Sequence, residues 1–295
     1  LDFYIDDTVH IAFSIKYTDL FSNKIYPFIS PLCGNELGGY YCYLPIPFQT
    51  HCKIIYRARQ TQFHQIQYRL YPHGTIVKKF SENLNVDEKV ALTKIDALWN
   101  KENKSVTGFY EDSNNIITSS KTISLLPGEA RTIFNIREGG RIVEIKFDNP
   151  GVFEDLQKLI DIKITWDDEH IPAVYCPAAD FFGYAFGKAS MQSLLLGTRK
   201  DKNYCYLPMP FDKMARIELL YRKTRTKTNK TVQIKATIHY TKQKRDIKRE
   251  GRFYTFWNRN KLSANTPAHI FLNTKGKGHY IGSMLLAQGI QAGMT

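Results

Sequence analysis

Val232-Gln233-Ile234-Lys235-Ala236-Thr237-Ile238-His239-Tyr240 alternates apolar and polar residues without a break. A period of two marks a strand with one packed face, so Val232, Ile234, Ala236, Ile238 and Tyr240 are expected on one side and polar residues on the other. Arg141 to Phe147 alternates too, with Val143, Ile145 and Phe147 on one face. Gln65 to Leu70 sets Ile66, Tyr68 and Leu70 opposite Gln65, Gln67 and Arg69. Half-polar strands of this kind suit antiparallel sheets. Helical spacing is rarer. Leu92, Ile95, Leu98 and Trp99 follow Asn85-Val86-Asp87-Glu88, which reads as a capping box with Asn85 as N-cap. Asn149-Pro150 opens a second short helix that ends near Leu159, ahead of a strand from Ile160 to Trp166.

The chain also writes one pattern twice. Tyr41-Cys42-Tyr43-Leu44-Pro45-Ile46-Pro47-Phe48 returns as Tyr204-Cys205-Tyr206-Leu207-Pro208-Met209-Pro210-Phe211, 163 residues on. Asp6-Asp7 recurs as Asp167-Asp168, and Asp19-Leu20-Phe21 as Asp180-Phe181-Phe182, each 161 residues on. Ile55-Tyr56-Arg57 matches Leu220-Tyr221-Arg222 at an offset of 165. A kept order with a slowly drifting offset indicates two copies of a whole domain, since solenoid periods are far shorter. The expected fold class is all-β: tandem jelly-roll β-sandwiches from an internal duplication, with few short helices. Residues 1–148 are assigned to the first jelly roll, 149–159 to a linker and short helix, and 160–295 to the second. Leu1-Asp2-Phe3-Tyr4-Ile5 reads as the middle of a strand, so the first jelly roll is expected to lack its opening strands. Pro45, Pro47, Pro208 and Pro210 cannot donate to a ladder. Both segments therefore belong at a sheet edge or at a crossing between sheets, with the aromatic residues before them in the core.

A length of 295 residues and 43% apolar composition exclude a disordered chain. No apolar run approaches the ~20 residues of a membrane-spanning helix. The five cysteines form no CxxC pair, so they are read as small buried thiols in strands rather than as a zinc knuckle or disulfide framework. No metal or other cofactor is expected. Net charge is +13, concentrated between Arg222 and Arg252, where twelve Lys or Arg stand against Asp246 and Glu250. The alternating strand inside this run points to a solvated sheet face rather than a specific nucleic-acid site.

Candidate chemistry is sparse. Asp6-Asp7 and Asp167-Asp168-Glu169 read as hairpin turns rather than calcium or acid–base sites. The Gly34-Asn35-Glu36-Leu37-Gly38-Gly39 loop lacks the P-loop lysine and the Rossmann spacing, but it holds Asn35 and Glu36 at a tip where ligands are often met. Asp180, ahead of Phe181-Phe182-Gly183, is either a turn former or a site-lining group. His279, after a Lys-Gly-Lys-Gly run, is either a ligand donor or a structural histidine. No Ser-His-Asp, Cys-His or HExxH order is present.

The motifs Gly34 to Pro45, Asp180-Phe181-Phe182-Gly183, Tyr206 to Phe211 and Gly278-His279-Tyr280-Ile281-Gly282 resemble glycoside hydrolase family 172, in family order over nearly the whole chain. The resemblance implies a tandem jelly roll similar to double jelly-roll capsid proteins. It implies a homotrimer or dimer of trimers, and retaining exo-type hydrolysis of furanosides such as fructofuranosides or D-arabinofuranosides. Asn35, Glu36, Asp180 and His279 match family motifs and are the candidate substrate contacts. The family's catalytic glutamates lie in L-E-G-D and G-T-G-T-E-D-Y motifs, which these residues do not contain. No catalytic residue is therefore assigned here. The pair is expected beyond Thr295, and residues 1–295 alone are expected to be inactive. The alternative is a carbohydrate-binding or shell-forming protein on the same scaffold. The compartment stays open among periplasm, cytoplasm and the extracellular space.

Overall fold

The computed structural model describes residues 1–36, 39–60, 64–100, 115–224, 230–261 and 268–287. Leu37 and Gly38 of the glycine loop, Arg225 and Lys227 of the basic run, and Thr295 lie outside the described residues. The chain divides into two compact units, Leu1–Glu102 and Asn103–Thr295.

The second unit is a β-sandwich. Its strands are β6 (Ile117–Leu125), β7 (Ala130–Ile136), β8 (Gly140–Asp148), β9 (Ile160–Trp166), β10 (Val174–Pro177), β11 (Tyr184–Ala185), β12 (Lys188–Ala189), β13 (Leu196–Thr198), β14 (Lys202–Cys205), β15 (Met209–Phe211), β16 (Ala215–Tyr221) and β17 (Val232–Thr241). One sheet runs β10-β9-β16-β7 and the other β13-β14-β8-β17-β6, with β15 added on β8. From β7 to β9, and again from β15 to β17, consecutive strands alternate between the sheets, as jelly rolls do. Packing follows the alternation in sequence. In β9 and β16 the inward residues meet as cross-strand pairs, Ala215 with Trp166, Ile217 with Ile164 and Leu219 with Ile162, all fully buried. Trp166 stacks on Phe211 at 6.0 Å. Each such large side chain taken fully from water contributes on the order of 1.5–3 kcal/mol.

The first unit repeats part of this plan. It contains β1 (Asp2–Ile5), β2 (Phe13–Ser14), β3 (Cys33–Glu36), β4 (Gly39–Cys42) and β5 (Cys52–Ile55), with α1 (Tyr17–Leu20) and α2 (Val86–Asn100). The second unit's own short helix is α3 (Ala178–Phe181). Register carries the duplication pair by pair. Phe3 faces Phe13 and Ile54 as Ile164 faces Val174 and Ile217. Cys33 faces Cys42 as Leu196 faces Cys205. The two octamers thus leave equivalent hairpins. The offset at β5 and β16 is 163 by register, so the sequence match of Tyr56 to Tyr221 is two residues out of step and Tyr56 corresponds to Leu219.

The turn after each octamer shows why the paired carboxylates recur. Asp6 Oδ1 accepts from the N–H groups of Gln49, Thr50 and His51. Asp167 Oδ1 accepts from those of Asp212, Lys213 and Met214, at the matching places. Both aspartates adopt positive φ, 57° and 54°. Both pairs sit in hairpin connections, β1 to β2 and β9 to β10, as expected; the first aspartate of each also clamps the chain corner, and Asp167 is buried rather than solvated. Only the second copy buries the octamer's aromatics: Tyr204 and Tyr206 are buried, whereas Tyr43 is 71% exposed. Pro210 lies in β15 opposite Arg141, on a short strand that pairs β8 at residues 140–142, past the end of β8's pairing with β14.

Several expectations need correction. The border at residue 148 does not hold, because β6, β7 and β8 are hydrogen-bonded into the same sheets as β9–β17. β6, which begins at Ile117, is already part of the second unit's sheet. Asn149-Pro150 opens a single 3₁₀ turn ending at Phe153 rather than a helix to Leu159. In β8 the strict alternation breaks: His239 pairs with Glu144 but Tyr240 with Ile142, leaving Val143 as an extra residue. This bulge turns Ile142, Ile145 and Phe147 inward and sends Val143 to a separate cluster with Tyr204 and Tyr206. Gln65–Leu70 forms no strand, and Ile66, Tyr68 and Leu70 are exposed. Alternation supplies a face, but a strand also needs a neighbour to bond. The capping box is confirmed by its two reciprocal bonds, Glu88 N–H to Asn85 Oδ1 at 2.9 Å and Asn85 N–H to Glu88 Oε2 at 2.7 Å.

Candidate functional site

Asp180 closes the single turn of α3, which follows β10 directly and packs on β9. Its carboxylate is not free. Lys158, just ahead of β9, binds Oδ1 as an ion pair, and the Trp257 indole N–H donates to Oδ2 at 2.9 Å. Asp161, one strand residue into the same sheet, pairs with Arg222 Nε at 3.0 Å. Arg222 also donates to the Lys158 carbonyl at 2.6 Å. Burial raises the Asp161 pKa, Arg222 opposes the rise, and the nearby Asp180 charge adds to it. The result is a cluster of two carboxylates and two cations, rimmed by a half-exposed tryptophan. The neighbouring cavity, between Glu154, Asp155, Leu159 and Ala179, measures about 60 Å³, room for a few waters and not for a sugar ring.

The other expected site residues lie elsewhere. Asn35 is exposed on β3, opposite Tyr40. Glu36 ends β3, and its side chain lies outside what is described. His279 is exposed in a stretch without regular structure, and among the described residues it makes no hydrogen bond or ion pair. The structure joins neither His279 to Asp180 nor a second carboxylate to Asn35.

An open groove of about 420 Å³ in the first unit runs past Asp2, Lys16, Tyr17, Tyr56 and Arg57. Tyr17 stands within 5.4 Å, ring to ring, of Phe21, Tyr40 and Tyr56. Such a patch looks like a sugar-stacking platform, but the repeat argues otherwise. Its counterparts in the second unit are Ala178, Phe182, Asn203 and Leu219, all fully buried, with Phe147 of β8 against Phe182. Those positions are interior faces of a sandwich. Among the described residues of the first unit, no strand plays the part of β8 or β17.

A second polar pair was missed in the sequence. The β8 bulge places Glu144 on the outer face of its sheet, 2.5 Å from His239 Nδ1, with Tyr206 and Tyr204 alongside. Glu144 is 2% exposed. Burial, followed by the Glu144 charge, raises the Tyr206 pKa. No signal in the sequence announced it, because the bulge that exposes the pair to each other arises from the register with β17.

Part of the basic run is paired in place. Arg245 binds Asp212 through both Nε and Nη2 at 2.8 and 2.7 Å. Arg252 bridges Asp167 and Glu169, Lys235 meets Asp148, and Lys242 meets Glu138. Among the described residues no group of three or more His, Cys, Asp or Glu is placed to hold a metal, and no helix is long and apolar enough to cross a membrane.

No curated protein matches the chain. Among solved structures, the infectious bursal disease virus VP2 subviral particle matches at 11% identity and a TM-score of 0.26, over 43% of this chain and 32% of that one. The infectious bursal disease virus Gt strain structure matches at 13% identity and a TM-score of 0.21, with the same coverage. The chain spans about a third of the length of these structures. A model described as the GH172 first beta-sandwich domain matches residues 1–88, and one described as GH172 domain-like matches residues 115–234. With both models in order along more than half of its residues, and an all-β duplicated fold to match, the chain belongs to the GH172 family.

Proposed function

We propose that the protein is a retaining, exo-acting glycoside hydrolase of furanosides, of the fructofuranoside or D-arabinofuranoside type, akin to difructose dianhydride I synthase/hydrolase. The supporting observation is the pair of matches from one glycoside hydrolase family, on residues 1–88 and 115–234. A retaining mechanism needs two carboxyl groups about 5–5.5 Å apart, one ionised nucleophile and one acid/base held protonated. Asp161 and Asp180 lie close enough for their charges to interact, and burial lifts Asp161 in the sense an acid requires. Each is already committed to a cation, and the space beside them is too small. We therefore give neither a catalytic role. Asn35, Glu36 and His279 are taken as sugar-hydroxyl contacts, and Asp180 as a contact that Lys158 and Trp257 hold in position. The active form is read as a homotrimer.

The test is turnover of aryl α-D-fructofuranoside and aryl α-D-arabinofuranoside by the natural protein, with the product anomer followed by NMR. Hydrolysis with retention is expected. Inversion, or hydrolysis of pyranosides alone, would sink the reading. One observation favours the second reading, a carbohydrate-binding or shell-forming protein: at Asp6, Asp167 and Asp180 every carboxylate is engaged in holding the fold. Binding of furanose oligosaccharides without turnover would select it.

A further inference from the structure

Cys33 and Cys42 face each other across the β3–β4 hairpin. Their Sγ atoms lie 3.3 Å apart, and both thiols are free. The backbone explains the closeness. The Tyr43 N–H donates to the Leu32 carbonyl, while the Cys33 N–H donates to Ile29. Leu32 and Tyr43 are thus a hydrogen-bonded pair, and Cys33 with Cys42, one step along, is a non-hydrogen-bonded pair. In such pairs the Cα atoms stand about 4.5 Å apart and the side chains meet most closely. That separation falls inside the span of roughly 4.4–6.8 Å that a disulfide requires.

The pair is not a by-product of the shared fold. At the same place in the second unit Leu196 faces Cys205, so an aliphatic side chain satisfies the packing there. The two thiols of the first unit also differ. Cys33 is fully buried and its S–H donates to Cys42, which raises the Cys33 pKa and lowers that of Cys42. Cys42 is half-buried and within reach of a reagent. A partly exposed thiol of lowered pKa beside a buried resolving thiol is the arrangement that thiol–disulfide exchange uses.

We propose that Cys33 and Cys42 form a reversible dithiol–disulfide pair that staples the base of the hairpin carrying Asn35. A small-molecule disulfide, such as oxidised glutathione, supplies the oxidising equivalents. The Cys42 thiolate attacks one glutathione sulfur and releases one glutathione thiolate, giving a mixed disulfide. Cys33 then loses its proton and attacks the Cys42 sulfur, displacing the second glutathione thiolate. Two protein thiols are oxidised and one glutathione disulfide is reduced. The linked hairpin cannot slip in register or splay, so the oxidised state holds Asn35 and Tyr40 in their paired positions.

The test places the natural protein in glutathione buffers of rising oxidised fraction, followed by acid quench, alkylation and peptide mass spectrometry. A Cys33–Cys42 linked peptide, lighter by two hydrogens, is expected to grow with oxidised glutathione and to vanish on reduction. Cys33→Leu, which copies Leu196, is expected to keep the hairpin folded and stop Cys42 at the mixed disulfide. Amide exchange at residues 39–42 is expected to slow roughly tenfold in the linked form, since opening of the pair is blocked. The proposal is overturned if Cys42 in the unsubstituted protein halts at the mixed disulfide or links to Cys52. It is equally overturned if both thiols stay reduced under about a hundredfold excess of oxidised glutathione.

Discussion

Replacing Asp167 by alanine would strip three N–H groups of their acceptor at the turn after the second octamer and leave Arg252 facing Glu169 alone. Unsatisfied groups of this kind cost about 1–3 kcal/mol. We expect Asp167→Ala to destabilise the second unit by about 2–3 kcal/mol in chemical denaturation, with Asp168→Ala nearly neutral because its partner Lys213 is exposed. The equivalent Asp6 makes a prediction in pH. Burial pushes its carboxyl up, but the N–H groups of Thr50, Gln49 and His51 outweigh this and hold it down at about 2, below the ordinary 3.8. A depressed folded-state pKa stabilises above the unfolded value, and that contribution is lost as pH falls through the folded one. Stability of the first unit is therefore expected to drop between about pH 4 and about pH 2. Asp6→Asn, which cannot titrate, should flatten that drop when unfolding is measured across the range. The residues 6 and 167 stood out in the sequence as a repeat. Their role did not, because the amide groups they hold are more than forty positions away.

Among the elements, α2 is the one most plainly announced. Asn85→Ala removes one half of its capping box and is expected to cost about 1 kcal/mol, read as faster amide exchange in the first turn. β8 is the element whose identity was clear and whose facing was not. Its bulge cannot be read from Arg141 to Phe147 alone, because it arises from the match to β17 at His239 and Tyr240. Gly140 begins the strand where β15 and β17 crowd it, and an added Cβ would meet the Thr241 carbonyl oxygen at 2.4 Å. Gly140→Ala is expected to cost about 2 kcal/mol or more by overpacking, with thermal melting as the measure. Gln65–Leu70 marks the opposite case. Its alternation equals that of β17, yet β17 lies between β6 and β8, and Gln65–Leu70 has no such neighbours among the described residues.

At the level of the molecule, the charge of +13 invites a polyanion reading that the ion pairs weaken. Arg245, Arg252, Lys235 and Lys242 are each committed to a carboxylate. We expect duplex DNA binding to be absent at physiological salt in a filter or anisotropy assay. Tight binding there that is lost when Lys244, Arg245, Lys248 and Arg249 are neutralised would refute this. The trimer proposed for the active form is checked by light scattering at micromolar concentration, where a monomer mass would count against it.

What the sequence by itself determined is whatever is written at short range or by repetition. That includes the β17 face, the β9 strand, the α2 cap, the duplication and, through its motifs, the family. Period, cap chemistry and repeated order are local or one-dimensional signals, and the fold preserves them. Tertiary structure alone decided which strands share a sheet, and hence the border near residue 102 rather than 148. It decided that Asp180 is held by Lys158 and Trp257, that Val143 bulges, and that Cys33 meets Cys42. Of the candidate site, the sequence marked Asn35, Glu36, Asp180 and His279 as unusual. It could not say which would be brought together, because contact between residues tens of positions apart depends on register and sheet order, which no single stretch encodes.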